Sequence, residues 1–236
     1  MGKRGPQPKR AANPLWTPEL AYACGLLATD GCLYSDGRHI NLTSIDRDQL
    51  ETFKKCLNLK NKIGSKSGGY SDRGLQVQFG DVGLYRWLIS IGITPRKTFT
   101  IGKVKVPDKY FWDYLRGEFD GDGHSHAYWD TRWRSSVSLY IGFTCASKQH
   151  LEWLNETITR LIGVSGNLRK QPRAYTLLFS KQIAFPLYRA MYYNSSVVHL
   201  GRKKQKLERQ WAALALAKQQ KQPEGFVKGG SVLLIT

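Results

Sequence analysis

Acidic residues are scarce in this chain. Its 236 residues hold 18 Asp and Glu against 36 Lys and Arg, a formal net charge of +18. That imbalance points to a polyanionic partner, and nucleic acid is the commonest one for a soluble protein. Long apolar runs are lacking as well. No stretch reads as a membrane span, a signal-like apolar segment or a strongly basic amphipathic helix, so a membrane is not the expected partner. Gly2 is followed by Pro6 where an acylation signal requires Ser or Thr, which argues against an N-terminal lipid anchor. Cysteine is limited to Cys24, Cys32, Cys56 and Cys145, without the close paired spacing of a zinc site. Cys145 falls on the apolar phase of a strand and Cys24 within a helix. The reading is of buried free thiols in a reducing intracellular compartment, not of a secreted protein.

What the chain does contain is a duplication. Ala23-Cys24-Gly25-Leu26-Leu27-Ala28-Thr29-Asp30-Gly31 returns as Leu115-Arg116-Gly117-Glu118-Phe119-Asp120-Gly121-Asp122-Gly123. Each copy is a helix-compatible run with a central Gly and an Asp-Gly end. After the first copy, strands are predicted over 32–34 and 39–43, a helix over 47–57, strands over 63–66 and 75–79, and a helix over 82–91. After the second, the same order runs over 124–129, 137–145, 148–162, 167–170, 175–179 and 182–192. Ile40 and Leu42 alternate with His39, Asn41 and Thr43. Val137, Leu139, Ile141, Phe143 and Cys145 alternate with Ser138, Tyr140, Gly142 and Thr144. Such alternation fits antiparallel sheets with one buried and one exposed face.

The paired nonapeptides and the twice-repeated αββαββα order resemble the single-chain LAGLIDADG homing endonucleases. Gly25, Leu26, Asp30 and Gly31 match the signature in the first copy, and Leu115, Gly117, Asp120, Asp122 and Gly123 in the second. The resemblance covers roughly residues 15–210 and implies an α+β fold of two pseudo-symmetric repeats. Each repeat carries a four-stranded antiparallel sheet, and the two form a DNA-binding saddle around the packed motif helices. The division expected is a basic tail over 1–13, repeats over 14–103 and 110–220, a linker over 104–109 and a C-terminal tail over 221–236. Thr17 is the expected N-cap of the first motif helix, with Pro18 in its first turn. Ala21, Gly25 and Ala28 make a small-residue stripe, matched by Gly117 and Gly121. An internal Gly costs a helix roughly 0.5–1 kcal/mol relative to Ala, so Gly25 and Gly117 are expected to let two backbones approach closely.

Helices so paired would bring Asp30 and Asp122 together at their C-terminal ends. The resemblance implies that these residues are catalytic and hold two or three Mg²⁺ ions, with Mn²⁺ or Ca²⁺ able to substitute in binding. Backbone carbonyls of Gly31 and Gly123, or of their neighbours, are candidate further ligands. Mg²⁺ commonly takes one or two carboxylates and lets a phosphate complete its shell, and a metal so held can activate water. Lys97 and Lys203, from the basic doublets that follow the last helix of each copy, are candidates for stabilising developing charge; phosphate-backbone contact alone is the competing role. Asp120 is not counted as a ligand, because Ala28 stands at its place in the first copy. Arg116 and Glu118, which replace apolar or small residues of the signature, are expected to face outward.

The exposed strand faces would read DNA in the major groove, whose edge pattern distinguishes all four base pairs. Candidates are Tyr34, Arg38, His39, Asn41, Thr43, Lys66, Arg73, Gln76 and Gln78 in the first repeat. In the second they are His126, Tyr128, Arg132, Ser138, Tyr140, Thr144, Arg169, Arg173 and Thr176. A charged terminal helix is predicted over 205–219. The expectation is a monomer that cuts both strands of a specific duplex, with intron homing as its role. An RNA-binding intron maturase and a non-cleaving DNA-binding regulator are the alternatives on the same scaffold.

Overall fold

Residues 14–66, 74–129 and 137–219 are described by the computed structural model. Each repeat begins with its motif helix, α1 (Pro18–Thr29) and α4 (Phe111–Asp122). The Thr17 hydroxyl accepts from the Leu20 amide at 3.1 Å and Pro18 fills the first position, as their order in the chain predicts. In the first repeat β1 (Gly31–Leu33) and β2 (His39–Ser44) follow, then α2 (Arg47–Cys56), β3 (Gly64–Ser65), β4 (Leu75–Gly80) and α3 (Val82–Ile91). The second repeat carries β5 (Gly123–Trp129), β6 (Val137–Cys145), α5 (Lys148–Ile162), β7 (Asn167–Lys170), β8 (Tyr175–Ser180) and α6 (Ala184–Met191).

Both sheets are four-stranded and antiparallel, in the orders β1-β2-β4-β3 and β5-β6-β8-β7. Ile40 lies opposite Phe79 and Leu42 opposite Val77; Ile141 lies opposite Phe179 and Phe143 opposite Leu177. These pairs are buried and turn one face of each sheet toward the core. That is the architecture expected, an α+β fold of two like halves. The core is continuous between the halves because α1 and α4 lie side by side, with Tyr22, Leu26 and Leu27 on one and Phe111, Tyr114 and Phe119 on the other. Trp153 of α5 packs edge-on to both Phe111 and Tyr114, a favoured aromatic arrangement.

The differences from expectation are local. The last helix, α7 (Gly201–Gln219), starts four residues before the expected 205 and takes Arg202 and Lys203 into its first turn. A 3-10 turn over Lys181–Ile183 precedes α6, whose third residue is Pro186. Proline lacks the amide a helix interior needs but is tolerated in its first turn. Of the four thiols, Cys24 is buried while Cys32 is exposed, contrary to the expectation of buried thiols, because it lies on the outer phase of β1. The two tails (1–13 and 221–236) and the candidates Arg73 and Arg132 lie outside the described residues, as does the side chain of Tyr128.

Candidate active site

The two motif helices touch backbone to backbone. A Cβ added to Gly25 would lie 2.1 Å from the Tyr114 carbonyl oxygen, and one added to Gly117 would lie 2.2 Å from that of Tyr22. One helical turn further on, a Cβ at Gly121 would meet the Thr29 hydroxyl at 2.0 Å. Thr29 and Gly121 therefore abut, and the next residue of each chain segment is Asp30 and Asp122. Asp30 caps the C-terminal end of α1 and Asp122 is the last residue of α4. Both carboxyls thus sit where unpaired helix carbonyls concentrate negative charge.

That negative charge meets two ammonium groups. The Lys97 Nζ donates to the carbonyls of Gly31 and, at 3.4 Å, Thr29. Lys203 donates to those of Phe119, Gly121 and Gly123 at 2.7, 2.8 and 2.7 Å. The lysines are thus related as the repeats are, each a cationic cap on one motif helix beside its aspartate. The Gly31 and Gly123 carbonyls, candidate further metal ligands by the resemblance, are acceptors of these lysine hydrogen bonds.

Electrostatics follow from the crowding. Burial raises the Asp30 pKa, opposed by a hydrogen bond from Gln49 and by Lys203 and Lys97. The side chain of Asp122 reaches solvent, yet the protein walls around it and the charges of Asp30 and Glu118 push it up to about 6, against the pull of both lysines. Burial lowers Lys203 to about 8 and lowers Lys97 as well. A pair of carboxylates that repel one another and have lost part of their water is a site that a divalent cation would stabilise. Among the described residues no three His, Cys, Asp or Glu side chains gather into a closed cage. Two carboxylates without such a cage suit Mg²⁺, which keeps waters and takes substrate phosphate oxygens.

Gln49 was not foreseen. It is buried on α2, and its Nε2 bonds the Asp30 carboxylate at 3.2 Å and the Asp120 carbonyl of the other repeat at 3.3 Å; Ser44 holds its oxygen at 2.6 Å. A glutamine beside Leu50, on the apolar face of an amphipathic helix, was the available signal. Arg116 and Glu118 do not face outward, as had been expected, but are buried. The Arg116 guanidinium bonds the carbonyls of Met191 and Val198 and pairs with Asp113. Glu118 accepts from Tyr114 at 2.5 Å and from His150 at 2.9 Å. Asp120 accepts from Tyr22 and from the Leu200 amide, both at 2.7 Å, and its pKa is pushed by burial to about 6.

The candidate DNA face is only partly open. Tyr34, Arg38, Gln78, His126, Arg169 and Arg173 are exposed, and His39, Thr43, Lys66, Gln76, Tyr140 and Thr144 half-exposed. Asn41, Ser138 and Thr176 share their outward phase but are buried, contrary to expectation. Asn41 is covered by its neighbours in a cross-strand chain in which it bonds Gln76 and accepts from Thr43, while Lys66 reaches Thr43. Thr144 and Thr176 face each other at 3.4 Å. Strand phase sets the face a side chain takes but not how deeply its neighbours cover it. His124, two residues before His126 on the same face, was overlooked; its ring is parallel to that of His126, which stacks on Tyr140 at 4.8 Å.

Two helices packed through glycine, each leading into the same strand and helix order and each ending in an aspartate, define the LAGLIDADG fold. The solved structures similar to this chain have it too. The meganuclease I-AabMI bound to uncleaved DNA is 16% identical, with 86% of this chain and 92% of that one covered and a TM-score of 0.62. I-DmoI in complex with DNA and Ca is 16% identical, with 81% and 97% covered and a TM-score of 0.54. Full-length DUF199/WhiA from Thermatoga maritima is 11% identical at a TM-score of 0.52; 85% of this chain spans 62% of that one. No family model and no curated protein sequence matches the chain.

Proposed function

We propose that this protein is a site-specific endonuclease of duplex DNA that hydrolyses one phosphodiester in each strand. It would act as a monomer inside the cell, with intron homing as its role. The observation that carries the reading is the abutting pair of motif-helix ends, each with an aspartate and a lysine in matching positions. Similar structures with bound DNA support a DNA partner. The similar structures are 11–16% identical and share the fold alone, so the aspartate pair, not the fold, carries the nuclease reading.

Asp30 and Asp122 would hold Mg²⁺, two or three ions in all, and Mn²⁺ or Ca²⁺ would occupy the same oxygen ligands. Metal bound there supplies an activated water and charge neutralisation at the leaving oxygen. The duplex has its own two-fold axis, so one carboxylate can address each scissile phosphate. Lys97 and Lys203 keep positive charge beside the phosphates while holding the helix ends that carry the aspartates. Gln49 fixes the Asp30 carboxylate to the opposite repeat. The outward residues Tyr34, Arg38, Gln78, His126, Arg169 and Arg173 would contact bases and phosphates.

The test is selection of cleaved duplexes from a randomised library with Mg²⁺, followed by the variants Asp30→Asn and Asp122→Asn. Loss of double-strand cutting in each variant, with DNA binding retained, is expected. Unaltered cutting by either would remove both residues from the mechanism. Duplex binding without cleavage of any library member would turn the reading to a regulator.

A further inference from the structure

The two motif-helix ends are alike, but the devices that hold their lysines are not. Lys203 follows Leu200, whose amide bonds Asp120, and Val198, whose carbonyl bonds Arg116. Both anchors come from α4 of its own repeat. Lys97 opens a 3-10 turn over Lys97–Phe99, and its carbonyl accepts the amides of Thr100 and Ile101. The carbonyls of Ile101 and Gly102, just beyond that turn, are held from the other repeat. The Ser147 hydroxyl bonds that of Ile101, and His150 Nδ1 bonds that of Gly102 at 2.7 Å.

His150 is almost fully buried, and its other nitrogen meets the Glu118 carboxylate. That oxygen also accepts from Tyr114, and the Gly102 carbonyl can only accept. With acceptors on both sides, the ring bonds both only with a hydrogen on each nitrogen, as an imidazolium. Burial works against that charge, but the charge and hydrogen bond of Glu118 prevail and the pKa is raised. Glu118 in turn is the foremost of the charges that keep Lys97 protonated against burial.

Among the described residues, the first repeat has no equivalent relay. Leu26 occupies the place of Glu118 in the motif, and Gln49, the third residue of α2 as His150 is of α5, bonds Asp30 instead. Buried ion pairs are costly, and apolar replacements of similar volume are often neutral in stability. A core that needed only filling would use the leucine already present in the first motif.

We propose that His150, acting through Glu118 and the Gly102 carbonyl, is a positioning residue for Lys97 alone, so that the two strands of a bound duplex are cut by unequal centres. The unequal cutting rests on the nuclease reading; the control of Lys97 does not. The strand facing the Asp30 end depends on this relay for its lysine; the strand facing the Asp122 end keeps Lys203 and feels only the charge of Glu118 on Asp122.

The experiment uses the full chain and the double variant Glu118→Leu/His150→Leu, with Glu118→Gln as the conservative single change. Lysine Nζ ¹⁵N–¹H correlation spectra are recorded without DNA. In the unaltered protein Lys97 and Lys203 give protected ammonium signals, because both are enclosed and bonded to carbonyls. In the double variant the Lys97 signal is expected to be lost while that of Lys203 persists, which also reports an intact fold. On a library-selected duplex labelled in each strand, cutting of the Asp30-side strand falls by about 10²-fold relative to the other, the scale of removing one stabilising donor, and nicked product accumulates. Glu118→Gln retains an acceptor for His150 and gives an intermediate effect. An unchanged Lys97 signal, or equal slowing of both strands, overturns the proposal. If the unaltered protein cuts no duplex, the nuclease reading fails while the Lys97 signal still decides this one.

Discussion

Gly25 and Gly117 face each other across the centre of the molecule, and a Cβ on Gly25 would stand 2.8 Å from the Gly117 Cα. The obstruction is backbone on both sides, so no rotamer change relieves it. Gly25→Ala is expected to lower unfolding stability by about 3 kcal/mol or more, at or above the usual upper range for overpacking. Half-buried Gly37, with nothing near its missing Cβ but with positive φ, serves as comparison and should lose far less when changed to Asn, a residue that tolerates that conformation. Equilibrium denaturation in urea measures both.

Asp122 predicts a pH dependence whose sign can be worked out. Its folded pKa, about 6, lies above the ordinary carboxylate value of 3.8. The folded state therefore binds more protons between those values, and stability without metal falls as pH rises through that window. Asp122→Asn should stabilise the metal-free protein at pH 7 by about 1 kcal/mol, a figure reduced because the group reaches solvent. The gain should vanish below pH 4. Asp120 titrates near the same pH, so the difference between variant and unaltered protein is the quantity to follow.

Metal should reverse that balance. Mg²⁺ held as proposed would need ionised carboxylates, so its affinity is expected to fall as pH drops through about 6, the value for Asp122. Calorimetric titration with Mg²⁺ alone at pH 5 and pH 7.5 checks this, and Asp122→Asn should remove most of the difference.

Lys203 holds three carbonyls at the end of α4 and has a pKa lowered to about 8. A folded pKa below that of the free side chain means stability rises with pH between the two values, as the buried ammonium loses its proton. Cutting should move the opposite way if the charge faces phosphate, declining above pH 8. Lys203→Met is expected to lower cutting of the Asp122-side strand by about 10²-fold. Strand-labelled cleavage across pH measures this.

On the proposed DNA partner, a net charge of +18 would make many phosphate contacts. A plot of log affinity against log salt for a duplex should have a slope of about −5 or steeper through counterion release. Fluorescence anisotropy on any duplex tests the nonspecific part, and the selected target the rest.

Periodicity and duplication alone determined the repeated order of elements, the two sheets and the small residues at Gly25 and Gly117, because local alternation and helix spacing are properties of adjacent residues. The resemblance to the LAGLIDADG signature, rather than periodicity, singled out Asp30, Asp122, Lys97 and Lys203 as candidates. Tertiary structure decided what those groups touch: that the lysines cap the motif helices through Gly31 and Gly123, that Gln49 crosses to Asp120, and that Asn41, Ser138 and Thr176 are covered. It also turned Arg116 and Glu118 inward, where polarity alone had suggested solvent. Charge on an amino acid predicts exposure only while no partner exists. The partners here, the carbonyls of Met191 and Val198 and the ring of His150, lie far along the chain and become neighbours only when it folds.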